Sequence, residues 1–282
     1  MALLSACGSS TGATPGEFEV VAAENAYGDI AAQIGGSHVS VTSILSSPAA
    51  DPHLFEPATS GGLAVSRAKV VLQNGLGYDA FMTRLEDAAP SKSRVVVTMA
   101  DVLGARGKDA NPHLWYDVPR LDRIASATAA ALVRADPAHA AAYRRGLGRF
   151  ERSLAPLRRE VATIRSRFRG APVAYTERVP GYLVAAAGLR NLAPSAFTRP
   201  VEEGTEPPPS ALAEMSALVA QHRIRVLLYN AQAVSPLTAQ VLAAARNAGT
   251  PVVPVRETLP PHSSFQQWQL AQARALAGAL AR

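Results

Sequence analysis

"DPAHAAAYRRGLGRFERSLAPLRREVATIRSRF" (residues 136–168) decides how the rest of the chain is read. Asp136 followed by Pro137 is a helix start, since Asp caps orphaned N–H groups and Pro suits the first helical position. Beyond it, Ala140, Tyr143, Leu147, Phe150, Leu154, Leu157, Val161, Ile164 and Phe168 recur at alternating spacings of three and four. That spacing lays one apolar stripe along a helix of about eight turns. A free coiled coil is disfavoured, because the stripe holds small and aromatic residues and lacks a charge pattern on its flanks. Pro156 removes one backbone bond inside the pattern, so a kink is expected there.

Short β-rich runs alternate with Ala-rich helical runs on both sides of this stretch. Strands are expected at Phe18–Glu24, Val39–Leu45, Val70–Gly75 and Val95–Met99 before it. After it they are expected at Pro172–Thr176, Val226–Asn230 and Val252–Val255, with a weaker one near Asn191–Phe197. Continuous apolar strands separated by helices indicate parallel sheets covered on both faces. The fold class is therefore α/β: two parallel-sheet lobes, residues 17–135 and 170–282, joined by one long α-helix at 136–169. A last helix is expected from a capping box of Ser263 with Gln266, with apolar content running to Leu280.

The bulk numbers exclude several classes. At 282 residues each lobe is large enough to bury its own core. The net charge of +6 is scattered, with no basic run, which argues against nucleic-acid binding. No apolar run of membrane-spanning length occurs. The single cysteine, Cys7, rules out an internal disulfide and a cysteine-rich metal site. Its setting, Leu4-Ser5-Ala6-Cys7, is similar to the lipobox cut before a lipid-modified cysteine. Residues 1–16 are accordingly expected to be a truncated lipoprotein signal and flexible tether.

Two of the six histidines lie in echoing segments, "DPHLFEP" (51–57) and "NPHLWYD" (111–117). The Pro before each His restrains its loop. His53 follows the second strand and His113 the fourth. Glu177 stands at the end of the first strand of the second lobe, and Glu257 at the end of its last. Open parallel sheets bind ligands beyond the carboxyl ends of their strands, so all four are expected to converge between the lobes. Two imidazoles and two carboxylates suit a borderline or hard divalent ion, Zn, Mn or Fe(II). His262, in "TLPPH", competes with Glu257 for the fourth place, while His38, His139 and His222 receive no role.

Longer segments add a resemblance. "DPHLFEP", "AKVVLQNGLGYDAF", "NPHLWYDVPRL", "TERVPGYLVAAAGL", "PVEEGTEPPPSAL", "VLLYNAQ" and "VRETLPP" resemble, in that order, the solute-binding lipoproteins of zinc/manganese ABC importers. The resemblance runs from about Phe18 to the C-terminus. It implies an extracytoplasmic receptor, lipid-anchored through Cys7 to the cell membrane. Such a receptor delivers Zn2+ or Mn2+, with Fe2+ as a further candidate, to an ABC permease as a monomer. His53 and His113 look like the family's two ligands from the first lobe, Glu177 like the third, where relatives carry His or Glu, and Glu257 like the acidic fourth. "GARGKDA" lacks the histidines that many zinc-binding relatives carry before "NPH", and a Glu in third place hardens the site towards manganese. The resemblance implies no catalysis and no catalytic cofactor. Rival readings are a receptor for a small organic solute or metal chelate, and a metallohydrolase. The hydrolase is opposed by the absence of HExxH and of GxSxG. A surface adhesin role is compatible with metal capture.

Overall fold

The computed structural model describes residues 18–48, 52 and 55–282. The first sheet contains β1 (Phe18–Glu24), β2 (Val39–Leu45), β3 (Val70–Gln73) and β4 (Val95–Thr98) in the order β2-β1-β3-β4. The second contains β5 (Pro172–Tyr175), β6 (Arg190–Asn191), β7 (Val226–Asn230) and β8 (Val252–Val255) in the order β6-β5-β7-β8. Every pairing is parallel. The expected α/β class and its two parallel-sheet lobes are therefore present. The weak strand expected near Asn191–Phe197 is present only as the two-residue β6, shifted to Arg190–Asn191: Pro194 interrupts the backbone donors, and the chain turns into a helix at Ser195–Glu202.

Strand alternation sorts the cores. Val21 and Ala23 point to one face of the first sheet, where Phe81, Met82 and Val65 from α2 (Thr59–Arg67) and α3 (Ala80–Ala88) cover them. Val20 and Ala22 point to the other face, into a core that continues through Val226, Leu228 and Val255 of the second sheet. Helices α1 (Asn25–Gly35), α5 (Leu121–Ala135) and α12 (Phe265–Leu280) also contribute to it. The other helices are α4 (Met99–Leu103), α6 (Ala140–Ser153), α7 (Ala155–Phe168), α8 (Gly181–Ala186), α9 (Ser195–Glu202), α10 (Pro209–Ala220) and α11 (Pro236–Asn247). Leu227 and Ala174 face a separate core with α9, α10 and α11.

The connecting stretch is helical but not one uninterrupted helix. It opens with a 3-10 turn, Pro137–His139, continues as α6, and restarts as α7 after Leu154. Pro156 explains the break, because it has no N–H for the carbonyl four residues back and its ring crowds that carbonyl. The break falls two residues before the proline rather than at it. Asp136 does not cap through its side chain; its carboxylate accepts from the Tyr143 hydroxyl and pairs with His139. The stripe itself is as expected, with Tyr143, Phe150, Leu154, Leu157, Val161 and Ile164 buried. Gly146 lets α6 touch α1, since a Cβ there would lie 2.1 Å from the Ile34 carbonyl oxygen. The last helix is capped by Ser264 with Gln267, one residue later than the sequence suggested.

The two halves are also tied directly. Asn25 donates from its side-chain amide to the Leu259 carbonyl (2.9 Å) and accepts from the Leu259 N–H (2.8 Å). Asp29 accepts from the Phe265 N–H, and the Gln33 and Gln266 amides bond each other both ways.

Candidate functional site

Three of the four expected residues come together beyond the strand ends. His113, Glu177 and Glu257 are all essentially fully buried. His53 lies outside the described residues, as does Cys7. His262 is exposed on a turn with φ of 59°, whereas Glu257 lies against His113, which favours Glu257 for the fourth place.

The second sheet presents its carboxylates through a network. Glu177 lies just past β5, Glu257 just past β8, and Asn230 ends β7 between them. The Asn230 side-chain amide donates to Glu177 Oε2 (2.6 Å) and to Glu257 Oε1 (2.7 Å). Its oxygen accepts from the Gln232 N–H, which fixes which end of the amide faces the acids. Gln232 in turn accepts from the backbone N–H groups of Glu257 and Thr258 and donates to the Thr258 hydroxyl. Two acids that would repel each other are thereby held side by side on one neutral donor.

The imidazole arrives from the other half. His113 Nδ1 is 2.7 Å from Asn111 Oδ1, and Nε2 is 3.0 Å from Glu257 Oε2. Asn111 donates its amide N–H to the Arg178 carbonyl, so its oxygen is the end that faces the ring. Nδ1 therefore carries a hydrogen, and Nε2 is the nitrogen turned towards the carboxylates, where it pairs with Glu257 as an N–H donor. Tyr78 and Trp115 flank the ring edge-on at 5.6 Å and 5.5 Å. The Tyr78 hydroxyl donates to Glu257 Oε2 at 2.8 Å. Burial, followed by the charges of Glu257, Glu24 and Glu177, raises the Tyr78 phenol well above its ordinary range, so it remains a donor.

Glu24, the last residue of β1, lies close enough to Tyr78 for its charge to help raise that phenol. Both its carboxylate oxygens are buried and lack a hydrogen-bond partner, and burial, with the Asp79 charge next, holds the carboxyl well above its ordinary range. A cavity of about 370 Å3 is lined by Tyr78, Pro112, Lys108, Arg178 and Glu202. Arg178 and Glu202, both on its lining, form an ion pair at 2.6 Å.

Among the described residues, no three His, Cys, Asp or Glu side chains already stand arranged around an ion position. Instead the oxygens and Nε2 satisfy one another, with His113 on Glu257 and Asn230 across the acids. The donor chemistry nevertheless suits a divalent cation: one imidazole nitrogen and two carboxylates joined by a neutral amide.

Residues 20–279 match the family described as the periplasmic component A of the zinc-uptake complex. The chain belongs to this family. It is 29% identical over 173 residues to the manganese-binding lipoprotein MntA of Bacillus subtilis, a match spanning 57% of this chain and 56% of that protein. Over 225 residues it is 27% identical to the manganese ABC transporter substrate-binding lipoprotein scaA of Streptococcus gordonii, covering 72% of this chain and 70% of the relative. The solved laminin-binding protein of Streptococcus agalactiae superposes with a TM-score of 0.78 over 93% of this chain and 99% of its own, at 22% identity. That likeness establishes the fold.

Proposed function

We propose that the protein is an extracytoplasmic receptor that captures one divalent transition-metal ion between its lobes and hands it to an ABC permease. The observation that carries this reading is the contact of buried His113, from the connection after β4, with Glu257, which Asn230 joins to Glu177 past the strand ends of the second sheet. His113 Nε2, Glu177 and Glu257 would hold the ion, joined by His53. Asn111 orients the imidazole as outer partners of metal-bound histidines do. The boundaries that go with this reading are lobes at 17–135 and 170–282 with the broken helix of 136–169 between them. Cys7 serves as the lipid attachment point, and the receptor acts as a monomer without catalysis. An oxygen-rich set favours manganese or iron(II) as the physiological cargo, although zinc binds most such sites tightly.

Native mass spectrometry of metal-stripped protein, offered equal zinc, manganese and iron(II) under anaerobic conditions, tests the reading. The expected result is one ion per chain, weakened by both His113→Ala and Glu177→Ala. Binding indifferent to both substitutions would overturn it.

A further inference from the structure

The net charge of +6 forms no unbroken run in the sequence, but folding gathers it. The connecting stretch 136–169 holds nine arginines against Asp136, Glu151 and Glu160, an excess of six that equals the charge of the whole chain. On the side opposite the buried apolar stripe, Arg145, Arg149, Arg152, Arg159 and Arg167 are all exposed. They recur at steps of four, three, seven and eight residues, close to whole turns, so they line one outward face. The face runs for about 33 Å of helix. None of the five makes an ion pair among the described residues, whereas Arg158 on the flank pairs with Asp122. Like charges at such spacing repel one another, and an anionic surface relieves them. At the α6 end the face borders a cavity of about 190 Å3, lined by Ser37, His38, Arg145 and Arg149 and large enough for a phosphate group. The chain enters the folded body at the same end: the Phe18 ring stands edge-on to Tyr143 of α6, centroids 6.5 Å apart. From Cys7 to Phe18 the backbone reaches at most about 40 Å.

We propose that the arginine face of α6 and α7 docks on the anionic phospholipid surface of the membrane that carries the protein. The choice of a bilayer rests on lipid attachment at Cys7, taken from the receptor reading, which holds the α6 end within tether reach of the headgroups. Their phosphodiesters supply the missing counter-charge, and the guanidinium fork suits phosphate oxygens. The exposed large apolar side chains, Leu63, Val96 and Val234, lie on other elements, so contact is at headgroup depth and not by insertion. Salt therefore weakens it. Docking lays the connecting helix along the membrane and gives the tethered receptor a fixed orientation.

The test is co-sedimentation of the full, unlipidated chain with vesicles at low and at physiological salt. One set mixes phosphatidylglycerol with phosphatidylethanolamine, and the other is phosphatidylcholine alone. Arg149→Gln/Arg152→Gln is compared with Arg223→Gln/Arg246→Gln, which removes the same charge from exposed positions of the second lobe. Wild type and the second-lobe variant should bind the anionic vesicles alike. The helix variant should bind on the order of tenfold more weakly, from a loss of about fivefold for each arginine. All three should leave phosphatidylcholine in solution and melt at the same temperature, so that the loss is not misfolding. Equal anionic-vesicle binding by the two variants overturns the inference. Wild type that stays off anionic vesicles while binding soluble polyphosphate overturns it too, in favour of a free polyanion. Native mass spectrometry with manganese runs on the same samples. One ion per chain in both variants leaves the receptor reading standing whatever the vesicles show, and no ion in wild type overturns that reading separately.

Discussion

The two sheets share one strand order but supply the site in different ways. The second sheet delivers Glu177, Asn230 and Glu257 from strand ends or within two residues of them, bonded side chain to side chain. The first delivers His113 from the long connection after β4, where aromatic edges and Asn111 hold it. One half is thus set by the sheet and the other by packing in a loop. Damage to the first half should appear mainly in affinity, and damage to the second mainly in the stability of the fold.

His113→Ala should have the largest effect. A four-ligand site worth about 10–16 kcal/mol assigns about 3 kcal/mol to each ligand, on the order of a hundredfold in affinity. Chelator competition measures it, and a loss below tenfold would show that the loop half is dispensable. Asn230→Leu comes next. It strips one donor from each buried acid, so metal-free protein should lose about 2 kcal/mol in urea unfolding. Saturating manganese should return part of that loss by binding only the folded state. A larger effect on affinity than on stability would invert the comparison.

Glu24 provides a pH test within the first half. Its carboxyl is raised in the fold, so above the ordinary value of 4.5 the folded state binds more protons than the unfolded one. Metal-free wild type should therefore lose stability relative to Glu24→Gln as pH rises through that window, by at most about 1.4 kcal/mol per unit. A difference that stays flat with pH would show that Glu24 is not buried as described. Asn25→Ala is the smallest, removing two side-chain-to-backbone bonds between the halves at about 1 kcal/mol. The expected signature is a small drop in melting temperature with m unchanged.

The architecture was legible because parallel strands announce themselves as apolar runs, and the stripe from Tyr143 to Ile164 is long enough to be unambiguous. Boundaries were less so. Ser263 and Ser264 stand side by side with Gln266 and Gln267 three residues on, and either pair satisfies the capping pattern. The break at Leu154 was misplaced because a proline disturbs the turn before it, not its own position. In the site, histidines and acids beside prolines drew notice, whereas Asn230, Asn111 and Tyr78 did not. Their contribution depends on which strand end faces which, and one-dimensional spacing carries no such information. "YNA" and "AEN" mark strand ends, but nothing in them says that an amide will bridge two acids or that an acid will lack a partner.

The Asn25–Leu259 contact has a consequence for how such chains drift. One partner is a side-chain amide, and the other is a peptide group that every residue except proline presents alike. Position 259 is free to change its side chain without weakening the tie. Position 25 is not, since few side chains both donate and accept at that reach. A pair in which only one member can register a change leaves no correlated substitutions, so comparing many sequences for positions that vary together would pass over this junction between the halves.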